Sequence, residues 1–341
     1  MKQLYEYLKE GFFNDVILFL KPVKEILNMH SCDFLKTVLV LAVLVFSCTS
    51  NKDAKNKYAS TQKYDIRISS GQNSKYKYAT VVESNLTHSI NDQESEMATR
   101  IQNSIIHDLV VDSSGTIHTK STYEEFKLFA KQNEAEREID AATASLSIIP
   151  SDKIFSAFNG AVFESAMTLD GTIHSVKGID ELRQKMKKLA GNNAESQTMV
   201  NNAFNQYASE TFVKNSLKQS FMMLPKTPVK IGDSWSEQSE VSAEIPISYA
   251  ITYTLEDVED NIAFIEVNAS FEADKQPIIA NNRSVKVTLK GNQEGTIKID
   301  LSTGMMLNSN SILKVSGENE IIGTIVPFRM ETRTSIRGEK L

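Results

Sequence analysis

The stretch IPISYAITYTLEDVEDNIAFIEVNASF (residues 245–271) decides the fold class. Apolar side chains alternate with small or polar ones from Ile245 to Leu255, and the alternation returns from Ala263 to Phe271. The polar residues 256–261 between these runs are typical of a turn. Because successive side chains of a strand point to opposite faces, the pattern predicts two antiparallel strands with one buried and one solvated face.

The same alternation continues along most of the chain. It returns on the C-terminal side in residues 285–301, 305–315 and 324–336, and on the N-terminal side in residues 76–89 and 97–111. Long antiparallel strands of this kind predict curved sheets, arranged as a half-barrel or as a sandwich.

Turn sequences containing Asp and Gly separate several of these runs. Residues 112–115 (DSSG), 170–171 (DG) and 300–304 (DLSTG) each lie between an apolar run and the start of a new strand. Turns of this composition between alternating runs favour β-hairpins. The predicted connections are therefore short and antiparallel.

A short helical block is inserted between the two β regions, at residues 178–224. A stripe of apolar side chains recurs there at helical spacing: Ile179, Leu182, Met186 and Leu189. Acidic residues in the first turn and Gly191 after the last are favourable helix ends. Two further helices are predicted around Phe204 and Leu217. The fold class is therefore α+β, with an N-terminal β-rich part (63–177), the helical block, and a C-terminal antiparallel β part (225–341).

An apolar run near the N-terminus predicts export. Residues 37–47 (TVLVLAVLVFS) are too few to span a bilayer, which needs about 20, but they fit the apolar region of a signal peptide. The junction Val45-Phe46-Ser47-Cys48 resembles the lipobox of bacterial lipoproteins. That resemblance implies cleavage before Cys48 and lipidation of its thiol by a diacylglyceryl or palmitate anchor, which would hold the protein on a membrane.

The residues on either side of this junction complete the predicted leader. Residues 1–47 would be an upstream extension plus the signal peptide. A start at Met29 gives a signal of ordinary length, whereas a start at Met1 requires 36 residues before the apolar run, which is unusually long. Residues 48–62 contain no large aliphatic side chain, which predicts a flexible tether between the lipid and the folded part.

Composition and motifs exclude several classes of function. The net charge of −6 argues against nucleic acid as a partner, and two cysteines exclude a disulfide scaffold. No sequence motif for a nucleotide, a zinc site, a calcium loop or a serine nucleophile is present, so no cofactor, metal or catalytic residue is expected. Four histidines are expected to be solvated strand residues: His88, His107, His118 and His174.

The most distinctive motif is LPKTPVKIGDSW (residues 224–235). Gly232 and Asp233 predict a turn, and Trp235 is expected to close this structural corner against the core. Together with the preceding helices, the lipobox and the segment from Gly295 to Gly304, the motif resembles an uncharacterised family of Bacteroidota cell-envelope lipoproteins. The resemblance implies an outer-membrane lipoprotein, facing the periplasm or the cell surface, and no particular activity.

Two functions remain open. The first is a non-catalytic lipoprotein that binds an apolar ligand, a glycan or another envelope protein. The alternative is a hydrolase of an envelope polymer with scattered catalytic carboxylates. Two carboxyl groups about 5–10 Å apart in a pocket would favour the hydrolase. An apolar groove without converging ionisable groups would favour binding.

Overall fold

One antiparallel sheet of twelve strands dominates the structure. The computed structural model describes residues 61–68, 73–90, 93–168, 173–191, 194–210, 213–214, 217, 224–240, 248–280, 283–321 and 324–341. The strands are β1 (Ser74–Ile90), β2 (Gln93–Val111), β3 (Ile117–Gln132), β4 (Ala135–Asp140), β5 (Val162–Met167), β6 (Ile173–Lys177), β7 (Ser234–Glu240), β8 (Ser248–Glu259), β9 (Ile262–Ala280), β10 (Arg283–Asp300), β11 (Met305–Ile321) and β12 (Thr324–Lys340). The helices are α1 (Pro150–Lys153), α2 (Ile179–Ala190) and α3 (Ala194–Tyr207), with 3-10 segments at Ala144–Leu146 and Ile154–Phe158.

The strand order brings the first strand, β1, beside the last strand, β12, in the middle of the sheet. The order is β6-β5-β3-β2-β1-β12-β11-β10-β9-β8-β7, and β4 pairs with the other end of β3. Both β regions therefore belong to one curved, unclosed sheet with few short helices, which confirms the predicted α+β class and its half-barrel form. Register shifts in the pairs β2–β3, β8–β9, β9–β10 and β10–β11 interrupt the ladders. Such irregularities bend strands and increase their twist.

The predicted turns lie where the sequence places them, with one adjustment. Between β8 and β9 the turn is only Asp260-Asn261, both with positive φ, as a tight type I′ connection requires. The segment 256–259, expected in the turn, continues β8. The 170–171 turn lies outside the described residues, although β5 and β6 on either side of it pair antiparallel.

The helical block follows the predicted stripe. In α2, Leu182 and Met186 are buried, and Ile179 and Leu189 pack against the core. The third predicted helix lies largely outside the described residues, but Val213 and Leu217 are described and buried. No helix in the described part of the chain is long and apolar enough to cross a membrane.

The sequence prediction missed helical turns at residues 144–158, inside the part expected to be β. These pieces are too short to produce a repeated apolar stripe, so periodicity does not reveal them. Phe155 and Phe158 from this segment stack against Phe126 of β3, with ring centroids 5.9 and 4.4 Å apart. Tyr207 of α3 packs edge-on against Phe155 at 5.8 Å. The aromatic group therefore joins the helices to the sheet.

An N-terminal segment closes one end of the core. Tyr64 and Val229 exchange backbone hydrogen bonds of 2.7 and 3.0 Å, and Ile66 and Ile68 beside Tyr64 are buried in the main core. The carbonyl of Arg67 lies next to Gly304, at the turn between β10 and β11. This segment follows directly on the predicted tether.

Candidate functional site

The face of the sheet on which the helices pack, here called the inner face, carries a band of polar side chains at mid-strand. The band, here called the polar belt, consists of Ser84, Thr99, Gln293, Ser309, Ser311, Thr332 and Thr334. All seven side chains are buried. Buried polar groups cost free energy unless they are hydrogen-bonded, so a band of them in the middle of a sheet requires an explanation.

The strand register places the belt across the centre of the sheet. Thr99, Ser84 and Thr332 are successive partners on β2, β1 and β12. Thr332 is opposite Leu313 of β11, which is opposite Gln293 of β10. Directly opposed residues of an antiparallel pair share a face, so these side chains all belong to the inner face.

The other members lie in the next two rows, towards the main core. Ser311 is opposite Thr334, and Ser309 is opposite the core residue Ile336. Side chains two residues apart on a strand also share a face, so this part of the belt is continuous with Gln293.

Only part of the belt is satisfied by hydrogen bonds within the belt. Ser84 Oγ and Thr332 Oγ1 lie 2.8 Å apart. By contrast, Gln293 Oε1 and Nε2 and the hydroxyls of Ser309, Ser311 and Thr334 are buried with no hydrogen-bond partner among the described residues. An unsatisfied buried group typically costs about 1–3 kcal/mol.

Apolar side chains flank the belt on both sides. The main core lies on one side and contains Ile265, Ile297, Ile299 and Ile336 among its members. On the other side, buried apolar residues outside the main core form what is here called the distal apolar patch: Leu86, Met97, Tyr249, Phe271, Val285, Val287, Leu289, Val315, Val326, Phe328 and Met330. The inner face thus changes along the strands from apolar to polar and then to a mainly apolar area, where His88, Gln132 and Asn319 are also buried, opposite Phe328, Met97 and Val326.

The centre of the inner face carries no formal charge at neutral pH. Among the described inner-face positions of β1, β2 and β9–β12, charged residues occur only at strand ends, at Arg283 at the start of β10 and at Lys340 at the end of β12. The other charged residues of these strands occupy the outer face, as in the 3.0 Å ion pair between Lys286 and Glu320. Burial lowers the pKa of His107 to about 4 and also lowers the pKa of His88, so both imidazoles are neutral at pH 7.

Two of the four histidines contradict the sequence expectation. His88 and His107 are buried rather than solvated, because they occupy inner-face positions of β1 and β2. His107 Nδ1 lies 2.8 Å from Ser121 Oγ, and its ring contacts Tyr78 edge-on. His118 and His174 are exposed as expected. His118 Nε2 lies 2.9 Å from Asp112 Oδ2.

The predicted corner at Gly232, Asp233 and Trp235 is a turn fastened to β8. The Gly232 amide donates to the Leu255 carbonyl at 2.7 Å, and the Leu255 amide donates to the Asp233 carbonyl at 3.0 Å. The Trp235 ring is half-buried and stacks on Tyr253 with centroids 5.8 Å apart. These contacts are structural, and they lie at the edge of the sheet rather than at the polar belt.

Neither the predicted lipidation residue nor the potential metal ligands add a second candidate site in the described part of the chain. Cys48 and residues 1–60 lie outside the described residues. Within the described ranges, no three His, Cys, Asp or Glu side chains come together in an arrangement that could hold a metal ion. The inner face is therefore the candidate site.

Residues 114–306 match a protein family described as "Family of unknown function (DUF6263)", and the match covers more than half of the chain. The chain belongs to this family. Membership assigns no activity, since the family itself has none assigned. No curated protein sequence matches this chain.

Distant similarities to solved structures accompany this family match. A structure titled "Lipid-protein interactions in lipovitellin" is 9% identical, with a TM-score of 0.38, over 79% of this chain and 25% of that chain. The translocator domain of the autotransporter NalP from Neisseria meningitidis is 6% identical, with a TM-score of 0.21, over 78% and 89% of the two chains. MucB in complex with MucA is 8% identical, with a TM-score of 0.12, over 77% and 88%. The chain spans a quarter of the lipovitellin chain, and nothing about its function follows from TM-scores this low.

Proposed function

We propose that this protein is a non-catalytic, lipid-anchored cell-envelope protein whose inner face binds an apolar ligand. The observation that carries the proposal is the distal apolar patch, a set of buried apolar side chains on the inner face that is separate from the main core. A sheet needs one apolar face to fold, but a second apolar area beyond a polar band is more than the packing of the described helices α1, α2 and α3 requires.

The distribution of carboxylates supports binding rather than hydrolysis. Hydrolysis of a glycan by the usual route needs two carboxyl groups about 5–10 Å apart on either side of the substrate. Among the described residues, the carboxylates on the inner side of the sheet lie near its margins: Asp152 of α1 is paired with Arg137 of β4, and Glu237 lies on the edge strand β7. A ligand on the central strands would therefore contact hydroxyl, amide and hydrocarbon groups.

Ligand binding is tested with pyrene, a hydrocarbon whose fluorescence reports the polarity of its surroundings. The full chain carrying Cys48→Ser, which removes the proposed acylation site, should bind pyrene in an apolar environment. Met97→Gln places an amide of similar size in the distal apolar patch, and we expect it to weaken pyrene binding about tenfold, which corresponds to roughly 1.4 kcal/mol.

The neighbouring Ala98→Gln provides the matched control, since Ala98 lies on the outer face opposite Asn85. It should leave pyrene affinity unchanged, and circular dichroism should show both variants folded. Absence of pyrene binding to the folded parent would contradict the proposal. Turnover of an envelope polymer that is lost on replacing one carboxylate would favour the hydrolase instead.

The lipid anchor is tested separately. Cells expressing the protein and fed an alkyne-bearing palmitate should label it, and Cys48→Ser should abolish the label because the acceptor thiol is gone. Cys32→Ser is the control, since Cys32 lies upstream of the proposed cleavage point and should not affect labelling. Label retained by Cys48→Ser would rule out this anchor, and fractionation of the labelled protein would test the proposed outer-membrane location.

A further inference from the structure

We propose that the polar belt binds the neutral hydrogen-bonding head of an amphiphile whose hydrocarbon chain lies along the distal apolar patch. This inference rests on the proposed function and specifies its ligand class: lipids with an uncharged hydroxyl, ester or amide head, such as a monoacylglycerol. A pure hydrocarbon would use only the patch. An ionised fatty acid would place a charge at the belt, whose side chains are all neutral.

The unsatisfied groups of the belt can form hydrogen bonds with a ligand. Gln293 provides an amide donor and an acceptor, and the hydroxyls of Ser309, Ser311 and Thr334 can each donate or accept. All four side chains are more than nine-tenths buried. They occupy three neighbouring strands, and strands of a sheet are about 4.8 Å apart, so one small polar head can reach several of them.

The inner-face position next to Gln293 on β10 is a glycine. Two residues along β10, Gly295 is opposite Ser311, so the inner face has no side chain between Gln293 and Ile297 on that strand. A side chain there could have covered or satisfied the neighbouring polar groups. Its absence leaves the Gln293 amide and the Ser311 hydroxyl dependent on another partner.

The absence of charged side chains from the belt favours a neutral head group. The polar belt presents no cationic side chain to a carboxylate or phosphate, since its seven residues are Ser, Thr and Gln. On the described central strands, the cationic inner-face positions are Arg283 and Lys340 at the ends of β10 and β12, and the two buried histidines also lie outside the belt. A buried charge without a partner is far more costly than a buried neutral group that forms hydrogen bonds. The belt therefore discriminates by charge as well as by hydrogen bonding.

The experiment compares three probes on the full chain carrying Cys48→Ser. Pyrene measures hydrocarbon binding, and its displacement by monoolein or by oleate at pH 8 measures the effect of a neutral or an ionised head on the same acyl chain. We expect monoolein to bind at least tenfold more tightly than oleate. Equal affinities would overturn the proposal.

Gln293→Met tests the belt directly, because methionine preserves the volume but forms no comparable hydrogen bonds. It should weaken monoolein at least tenfold, leave pyrene affinity within twofold, and raise the melting temperature by removing unsatisfied buried groups. Asn292→Met, on the exposed outer face of the same strand, should leave monoolein affinity unchanged.

Ser311→Ala is the second variant, in case the first does not fold, and should weaken monoolein about threefold or more. If the folded variants bind monoolein as tightly as the parent, the belt is satisfied by ordered water alone and the proposal is wrong. If no variant and no parent binds pyrene, the proposed function itself fails, which is a distinct result.

Discussion

Gly304→Ala is expected to lower the free energy of unfolding by about 3–5 kcal/mol, an effect at the upper end of single substitutions. Gly304 has a φ of 70°, and a Cβ atom there would overlap the backbone carbonyl of Arg67. Its amide also donates to the Asp300 carbonyl at 2.7 Å, which fixes the turn between β10 and β11. Because the obstacle is backbone, the segment at residues 61–68 would have to move away from the core.

Gly232→Ala separates the steric clash from the backbone strain. Gly232 also has a positive φ, 90°, but among the described residues beyond its two chain neighbours no atom lies within 4 Å of the position a Cβ would occupy. This variant should cost only about 1–2 kcal/mol, the usual penalty for a left-handed conformation. Urea unfolding followed by circular dichroism measures both variants, and equal midpoints would show that Arg67 does not constrain the turn.

Phe158→Ala is expected to cost about 3–5 kcal/mol, the usual range for deleting a buried aromatic side chain. Phe158 is fully buried, stacks on Phe126 at 4.4 Å, and meets Tyr123 edge-on at 5.7 Å. Its removal leaves a cavity at the contact between the helices and β3. Differential scanning calorimetry should show a lower melting temperature and a lower unfolding enthalpy.

Leu146→Ala is the matched control, because Leu146 belongs to the same irregular segment but is 83% exposed. It should change stability by no more than about 0.5 kcal/mol. A loss at Phe158→Ala as small as that of the control would mean that the aromatic group does not hold the helices on the sheet.

The sequence predicts the strands because local alternation determines which face is buried. In β12, for example, Met330, Thr332, Thr334 and Ile336 share one phase, and all four are buried. The order of the strands cannot be predicted in the same way. Many strands carry similar apolar faces, so alternation does not indicate that β1 pairs with β12 rather than with another strand.

The sequence analysis did not predict the polar belt, although the alternation of apolar side chains already placed its residues on the buried face of their strands. Thr332 and Thr334 lie on the same side of their strand as apolar residues two positions away, and so does His107 between Ile105 and Leu109. The alternation along each strand predicted that these side chains are buried, whereas their polarity predicted that they are exposed to solvent. In the structure they are buried, as the alternation predicted. The placement of Gln293, Ser311 and Thr334 on one face of three neighbouring strands could not be predicted from the sequence, because it depends on how those strands pair.

The pairing of β1 with β12 also determines the order in which the molecule can fold. The hydroxyls of Ser84 and Thr332, joined across this pair, are 248 residues apart in sequence. Most other neighbours in the sheet are consecutive strands, which can pair locally as they leave the ribosome. The ladder between β1 and β12 can form only after the last strand has been synthesised. Its formation closes a long loop at a large cost in chain entropy, which makes folding slow. Until then the long edges of β1 and β11 are both unpaired in the middle of the sheet, and during that interval the chain is most exposed to aggregation.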